Sequence, residues 1–465
     1  MEVAVDYDIL VIGAGTGGYV GAIHAAQNGA KVCIIEKEYP GGVCLNWGCI
    51  PTKTLLKSAE KWLDIQHCAE FGINAENVSL DFSAVMNRKN TILKQMREGV
   101  TQLLKGNQAE LIMGEAKILD KNTVQVGERT ITAKSIIVAT GSRPGRPPIP
   151  GINLPNVIDS NDILQIEKVP ASMLVIGAGV VGVEFASVFA AFGSAVTMVE
   201  MAANILPSID TDLTKRLGVQ LRKQGIKSLL NAKVLSIEEV ADGLQVNMEV
   251  RGKTESVVVE TVLVASGRIP NVADLGLENA GVEFDRYGIK VNEQMQTSVD
   301  NIYAVGDVTN KIMLAHVAST QGMVAVENIM GHSKQMSYNV VPACVFTMPE
   351  IATVGLNEQE AKAAGMEIVC SRFNFAGNGK ALSMGETDGL VKIIAEAATH
   401  KIIGMHILGP HAGDLIMEGA VAIQHGLTAE QLAGTIHPHP TLSEVAMEAA
   451  HGIFGNIVHQ IKVNK

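Results

Sequence analysis

The chain carries one pattern twice. The first copy reads Tyr7-Asp-Ile-Leu-Val-Ile-Gly13-Ala-Gly15-Thr-Gly-Gly18 and closes at Val32-Cys-Ile-Ile-Glu36. The second reads Met173-Leu-Val-Ile-Gly177-Ala-Gly179-Val-Val-Gly182 and closes at Val196-Thr-Met-Val-Glu200. Each is an apolar run of strand character, a Gly-x-Gly-x-x-Gly turn, a helical stretch and a second apolar run. Each ends in a glutamate 23 residues after its first glycine. A lone glycine triplet is weak, because small residues also let helices pack closely. Here the context repeats in full. Gly13 and Gly177 permit a tight turn, Gly15 and Gly179 let the backbone approach a pyrophosphate, and Gly18 and Gly182 let the helix pack on its strand. A pyrophosphate then lies at the helix N-terminus, where free N–H groups and the dipole favour negative charge. Glu36 and Glu200 accept hydrogen bonds from a ribose diol, and Glu200 repels a 2′-phosphate, which favours NAD over NADP. Two dinucleotide sites in one chain imply two cofactors exchanging electrons.

Three further strand-then-glycine segments lie outside the repeat: Ile136-Ile-Val-Ala-Thr140-Gly141, Val262-Leu-Val-Ala-Ser-Gly267-Arg268 and Ile302-Tyr-Ala-Val-Gly306-Asp307. All read as buried strands ending at a turn, where α/β sheets present backbone to ligands. Pro144, Pro147, Pro148, Pro150 and Gly151 read as a crossover linker between the two nucleotide-binding units. After about residue 344 helical periodicity grows, histidines and methionines accumulate, and no glycine fingerprint recurs. That part reads as a separate final domain.

The whole chain fits this organisation. Its 465 residues suggest about three or four compact units. Apolar residues at 47% and charged residues at 18% exclude a disordered or collagen-like chain. A net charge of −11 gives no basic field to recruit nucleic acid or an anionic membrane. Six cysteines are too few for a disulfide scaffold and point to a reducing compartment. Met1 to Asp6 show no signal or transit character before the strand-like Tyr7–Ile12. The apolar tract from Met173 to Val199 is broken by Glu184 and four glycines, so it reads as strand–turn–helix–strand and not as a membrane span. A cytoplasmic protein is expected.

After the first fingerprint comes Gly41-Gly-Val-Cys44-Leu-Asn-Trp-Gly-Cys49-Ile-Pro51-Thr-Lys53. Two cysteines five residues apart can pair if the turn between them is tight, which Gly48 permits. Zinc needs two more ligands at suitable spacing, and none is near; Cys33 falls in a strand and Cys68 in a helix. Two buried structural thiols would be the plain reading of an isolated pair. Beside a dinucleotide fold, a redox-active pair is favoured. Far downstream stands His437-Pro-His439-Pro-Thr-Leu-Ser-Glu444. A carboxylate on one imidazole nitrogen fixes the tautomer and stabilises the imidazolium, leaving the other nitrogen as a base.

On the redox block, both fingerprints, the Ala-Val-Gly-Asp307 segment and the histidine block, the chain resembles the two-dinucleotide flavoprotein disulfide reductases. Within them it resembles the dihydrolipoyl dehydrogenases of bacterial type, over nearly its whole length. Trp47 stands where smaller apolar residues are common in that family, which bears on access to the thiols. The resemblance implies a Cys44–Cys49 disulfide beside FAD, with His439, rather than His437, as base, held by Glu444. Dihydrolipoamide, deprotonated by His439, would attack Cys44, and Cys49 would become the thiolate next to the flavin. A helix starting near Cys49 would lower its pKa by its N-terminal dipole. Lys53 looks like the cation near the flavin, paired with Glu184, and NAD on the second fingerprint would receive the electrons. Glu36 would hold the FAD ribose and Asp307 its pyrophosphate or ribityl region. Ala116, Thr140, Gly141, Ser142, Ala315, Val234 and Gly267 join the expected cofactor-binding residues, and no metal is expected.

The implied fold is α/β, with two Rossmann-like domains for FAD and NAD, a central domain, and an α+β C-terminal dimerisation domain. Their expected extents are 1–150 with a helical insertion from about Thr52 to Gly106, then 151–274, 275–343 and 344–465. A homodimer is implied, with His439 reaching the thiols of the other subunit. Implied partners are dihydrolipoamide on lipoyl domains, the acyltransferase core of a 2-oxoacid dehydrogenase complex, or a glycine-cleavage H protein. The rival readings are weaker. A glutathione- or trypanothione-type reductase needs basic residues where Glu200 stands. A mercuric-type reductase carries a C-terminal cysteine pair that the tail Ile457 to Lys465 lacks. Soluble transhydrogenases of this fold usually lack the redox cysteines. A non-catalytic scaffold would have no use for Cys44, Cys49, His439 and Glu444 together.

Overall fold

The structure, a computed structural model, describes residues 5–461. Residues 1–4 and 462–465, the extremes of the N-terminal stretch and of the tail read above, lie outside it.

The first repeat copy builds β1 (Tyr7–Ile12), α1 (Thr16–Gln27) and β2 (Val32–Glu36). The short helix α2 (Gly42–Asn46) and the long helices α3 (Cys49–Gln66) and α4 (Phe82–Gly106) follow. Then come β3 (Glu110–Met113), β4 (Ala116–Ile118), β5 (Thr123–Val126) and β6 (Arg129–Val138). The order across the sheet is β3-β2-β1-β6-β5-β4. β1, β2, β3 and β6 are parallel, and β4 and β5 return antiparallel. Strands covered on both faces need unbroken apolar runs. β2 is accordingly buried at all five residues.

The chain leaves through β7 (Ser142–Pro144) and builds the second unit from β8 (Val157–Asp159), β9 (Ser172–Ile176), α5 (Val180–Ala191), β10 (Ala195–Glu200), α6 (Thr211–Lys223) and β11 (Lys227–Leu230). A meander of β12 (Ala232–Val240), β13 (Gly243–Val250) and β14 (Lys253–Val259) precedes β15 (Thr261–Val264). The second sheet runs β11-β10-β9-β15-β8, all parallel. The apolar tract from Met173 is thus strand, turn, helix and strand. Among the described residues no helix is long and apolar enough to cross a membrane.

The return is β16 (Arg268–Pro270), antiparallel beside β7, so outgoing and returning strands form one ribbon. After the small ribbon of β17 (Phe284–Asp285) and β18 (Gly288–Ile289), β19 (Ile302–Ala304) pairs in parallel with β6. Residues 302–304 therefore extend the first sheet. Helix α7 (Ala315–Ile329) packs on α1 at a crossing of glycines, where a Cβ on Gly322 would lie 2.3 Å from the Gly17 carbonyl oxygen.

The C-terminal unit is an antiparallel sheet. It contains β20 (Ala343–Val345), β21 (Glu350–Gly355), α8 (Glu358–Ala363), β22 (Ile368–Asn374), α9 (Gly379–Met384), β23 (Leu390–Glu396) and β24 (Ile402–Gly409). Helices α10 (Ala412–His425), α11 (Ala429–Ala433) and α12 (Glu444–Ile453) complete it, and the strand order is β20-β21-β24-β23-β22.

A buried charge cluster ties this unit to the second. Lys392, in the middle of β23 and fully buried, reaches Asp210 at 2.8 Å, Asp212 at 2.8 Å and Glu358 at 2.7 Å. Arg372 adds contacts to Asp212 at 2.6 Å and Glu358 at 3.0 Å. Burial alone would raise the Asp212 pKa, but hydrogen bonds from Lys392 and Arg372 outweigh it and hold it at about 2. Bonds from Lys362 and Lys392 likewise hold Glu358 at about 2. An unfolded carboxyl titrates near 4, so these groups stabilise the fold above that pH. The contribution is lost as pH falls from about 4 toward 2. Lys392→Met leaves the buried Asp210 without an ion-pair partner among the described residues and weakens the hold on Asp212 and Glu358, which keep Arg372. The change is expected to cost about 3–5 kcal/mol, read as a lower Tm in calorimetry at neutral pH. Its excess instability over wild type should shrink at about pH 3.

Candidate redox and dinucleotide site

The two glycine loops share one geometry. Gly13 and Gly177 share a φ of 101°, which a residue with a Cβ rarely adopts. At Gly18 and Gly182 a Cβ would lie 1.9 Å and 2.0 Å from the carbonyl oxygens of Gly13 and Gly177. The middle glycines face room instead: a Cβ on Gly179 would meet nothing within 4 Å, and one on Gly15 only the Gly42 Cα at 3.8 Å. Neither α1 nor α5 has a side-chain N-cap or an acid in its first turn, so their leading N–H groups lack internal partners.

The closing glutamates do more than the spacing indicated. Glu36 Oε2 accepts from the Ala14 N–H at 2.8 Å and Oε1 from Glu38 N–H at 2.8 Å. Glu200 repeats this with Ala178 and Ala202, both at 2.8 Å. Each carboxylate is thereby oriented and retains lone pairs for a diol. Gly177, Gly179, Glu200, Val234 and Gly267 all line one cavity of about 750 Å³, together with Met201, Pro207 and Arg268. A dinucleotide half fits that space and that donor set.

The first site gathers its residues from distant strands. Ala116 starts β4, just beyond Met113, which pairs with Glu36. Thr140, Gly141 and Ser142 follow β6, and Ala315 opens α7 beside the glycine loop. Asp307 sits in the turn after β19 and accepts from the Ser142 hydroxyl at 2.5 Å. Arg268 donates to the Ser142 hydroxyl at 2.7 Å and its carbonyl at 2.8 Å, and stands 3.8 Å from Asp307. This arginine touches both nucleotide regions and was not among the expected site residues. Its only sequence signal is its place directly after Gly267.

Cys44 lies within α2 and Cys49 at the first position of α3, with Gly48 as the link. A Cβ on Gly48 would sit 3.1 Å from the Val43 carbonyl oxygen, so glycine serves close approach here. The two thiols lie close enough for one to donate to the other. Cys44 acts as donor and is pushed up. Cys49 is pulled down by that hydrogen bond, with help from Lys53 and its own backbone N–H, against burial and Glu184. Burial instead pushes Cys33 up to about 12 and Cys344 up to about 11, and raises Cys370. Cys49 is thus the more acidic thiol of the pair.

One turn along α3, Lys53 Nζ binds both oxygens of Glu184 at 2.9 Å and 2.8 Å, and lies 4.4 Å from the centre of the Phe346 ring. Glu184 is buried on α5 and also accepts from the Phe346 N–H at 2.9 Å. Three units therefore meet at one carboxylate. Phe346 escaped the sequence reading because it lies 162 residues from Glu184 and carries no motif.

His439 Nδ1 bonds Glu444 Oε1 at 2.9 Å, while Glu444 Oε2 accepts from the Thr441 N–H at 2.8 Å. Burial works to raise the Glu444 pKa, but these bonds prevail and hold it low. The His439 side chain is 77% exposed and its only hydrogen bond among the described residues is through Nδ1, whereas His437 is 6% exposed and engaged by the Thr435 carbonyl and Glu418. His439 is the available base of the two. Within one subunit nothing places it on the thiol pair.

Comparison with known proteins places these features. Residues 7–322 match the family model described as pyridine nucleotide-disulphide oxidoreductase, and residues 341–450 match the dimerisation domain of the same family. A dihydrolipoyl dehydrogenase of Geobacillus stearothermophilus is 44% identical, with 99% of each chain covered. One from Bacillus subtilis (strain 168) is 42% identical with 98% of each covered. Among solved structures, the HOCl-induced flavoprotein disulfide reductase RclA from Escherichia coli superposes with a TM-score of 0.87 at 30% identity, over 96% of this chain and all of the other.

Proposed function

This chain belongs to the pyridine nucleotide-disulphide oxidoreductase family, and from that premise we propose how its residues carry out dihydrolipoyl dehydrogenase chemistry. The activity is oxidation of dihydrolipoamide with NAD as acceptor, as in relatives matching over nearly the whole chain. The observation that carries the residue assignment is the Cys44–Cys49 pair with its one acidic thiol, set beside Lys53–Glu184 between two glycine loops.

With Cys44 and Cys49 joined, His439 of the partner subunit removes a proton from one thiol of dihydrolipoamide. The thiolate attacks Cys44 Sγ, the Cys44–Cys49 bond breaks, and Cys49 leaves as the thiolate. The second substrate thiol displaces Cys44 and passes its proton to it, which releases lipoamide, leaves Cys44 as the thiol and keeps the first proton on the His439–Glu444 pair. Cys49 is the better leaving group because its pKa is the lower one. FAD, when bound, supplies the two-electron carrier between this dithiol and NAD. Gly13, Gly15, Gly18, Glu36, Ser142, Asp307 and the α1 N-terminus would hold it, and Lys53 would set a fixed positive charge near its reactive ring. Gly177, Gly179, Gly182, Glu200, Val234 and Gly267 would hold NAD.

The C-terminal unit matches the family's dimerisation domain, which supports a homodimer. The exposed His439 side chain, held among the described residues only through Nδ1, supports a base used across that interface. The protein-bound substrates we propose are lipoyl groups of 2-oxoacid dehydrogenase or glycine-cleavage assemblies. An anaerobic titration with dihydrolipoamide, followed by NAD, tests the reading. The spectrum should gain a long-wavelength charge-transfer band, and NAD should then yield NADH. Reduction only by NADPH, with glutathione disulfide as acceptor, would sink it.

The nucleotide preference gives a sharper check. Glu200→Gln keeps an acceptor but loses the charge that repels a 2′-phosphate. KM for NAD should rise about tenfold, near 1.4 kcal/mol, with kcat little changed. Activity with NADP should improve, measured by steady-state kinetics with each nucleotide.

A further inference from the structure

A second cavity opens at the outer edge of the NAD-type sheet, and its chemistry is anionic-ligand chemistry. It measures about 500 Å³ and is lined by Lys215 and Arg222 of α6, Lys227 of β11 and Arg251 of the β13–β14 turn. Four cations come from three separate elements, and no carboxylate lines the cavity. We propose that this cavity binds a small molecule through a di- or triphosphate group.

The charges are uncompensated where their neighbours are not. Lys223 faces Asp388 at 3.7 Å, and Arg216 donates to Asn374 at 2.8 Å. The side chains of Lys215, Arg222, Lys227 and Arg251 have no ion-pair or hydrogen-bond partner among the described residues. Like charges around one cavity repel each other, and a multivalent anion relieves that repulsion. In a chain of net charge −11, such a concentration of free cations is a local exception. Lys215, Gly218 and Arg222 also share one face of α6, at positions i, i+3 and i+7.

Arg251 is held in place at a cost. It and Gly252 form the two-residue turn with φ of 50° and 79°, a conformation that favours Asn-Gly. An arginine there strains the backbone, and its N–H is anchored on the Asn231 carbonyl at 3.0 Å. The floor is apolar: Ile205 and Ile226 are buried, and Leu230 adjoins them. The volume lies in the range of small-molecule clefts, about 300–1,000 Å³, and exceeds what a single free phosphate fills. A phosphate chain at the rim with a less polar group on the floor fits both features.

The site is separate from the NAD cavity but shares a wall with it. Asn204 and Ile205 line the smaller cavity, and Met201 and Pro207 of the same loop line the larger. The proposal does not depend on the reaction assigned above.

Calorimetric titration of the FAD-loaded homodimer at low salt tests it, with NAD saturating so that the larger cavity is filled. The probes are inorganic tripolyphosphate and ATP, without magnesium. Saturable binding is expected, weakened about tenfold or more in Arg222→Ala/Lys227→Ala and largely retained in Arg222→Lys/Lys227→Arg. Both variants alter exposed side chains and should keep the wild-type melting temperature, which confirms folding. Tighter ATP binding would assign the floor to a nucleoside. Equal affinity would leave the phosphate chain as the recognised group. Absence of saturable binding by both probes, or binding unchanged in the Ala/Ala variant, would overturn the proposal.

Discussion

Replacing Cys44 or Cys49 by serine is expected to remove dihydrolipoamide:NAD turnover by on the order of 10⁴-fold or more, because a hydroxyl forms no exchangeable disulfide. The two variants should still differ in spectroscopy. In Cys44→Ser a hydroxyl can donate to the Cys49 sulfur as the thiol does, so Cys49 should keep its lowered ionisation. In Cys44→Ala that donor is gone, and the thiolate should form only at higher pH, toward about 8.5. Thiolate absorbance against pH reads this directly. A Cys49 that titrates identically in Cys44→Ser, Cys44→Ala and wild type would show that the hydrogen bond between the thiols does not set its acidity.

The second large effect is at His439. Loss of a general base typically costs about 10²–10⁴-fold, and His439→Gln should fall in that range for lipoamide-linked turnover. Transfer from NADH to an artificial electron acceptor needs no base at the thiol pair and should survive. Glu444→Gln tests the orienting partner. The carboxylate at 2.9 Å orients the ring and fixes its tautomer, so its loss should lower kcat for lipoamide-linked turnover with KM little changed. Because the carboxyl is held low by its hydrogen bonds, its support for His439 persists down to acidic pH and is lost only below the ordinary carboxyl range. Equal loss of both reactions in His439→Gln would point to damage of the fold instead of the proton step.

Local spacing made the two nucleotide folds legible. The glycine loops, their strands and the closing glutamates fall within about thirty residues, and periodicity resolves elements of that span. The placement of Cys49 at a helix start was readable for the same reason. Longer-range contacts were less so. Lys53 with Glu184 spans 131 residues and came only through resemblance to a family. Phe346 on Glu184, Arg268 between Ser142 and Asp307, and the Lys392 cluster carry no local signature. The C-terminal unit read as increasingly helical, yet Leu390–Glu396 and Ile402–Gly409 are central strands. Short apolar runs do not distinguish a buried strand from a buried helix.

The pairing of β19 with β6 has a consequence for biosynthesis. The first sheet lacks this strand until Ile302 has been made, more than 160 residues after its partner Ile136. At about 5–20 residues per second the ribosome needs on the order of ten seconds to bridge that gap. Throughout it, the flank of β6 that β19 will cover is open, and Asp307 does not yet exist. The second unit, lying between β7 and β16, is finished first, so the order of completion on the ribosome reverses the order of the chain.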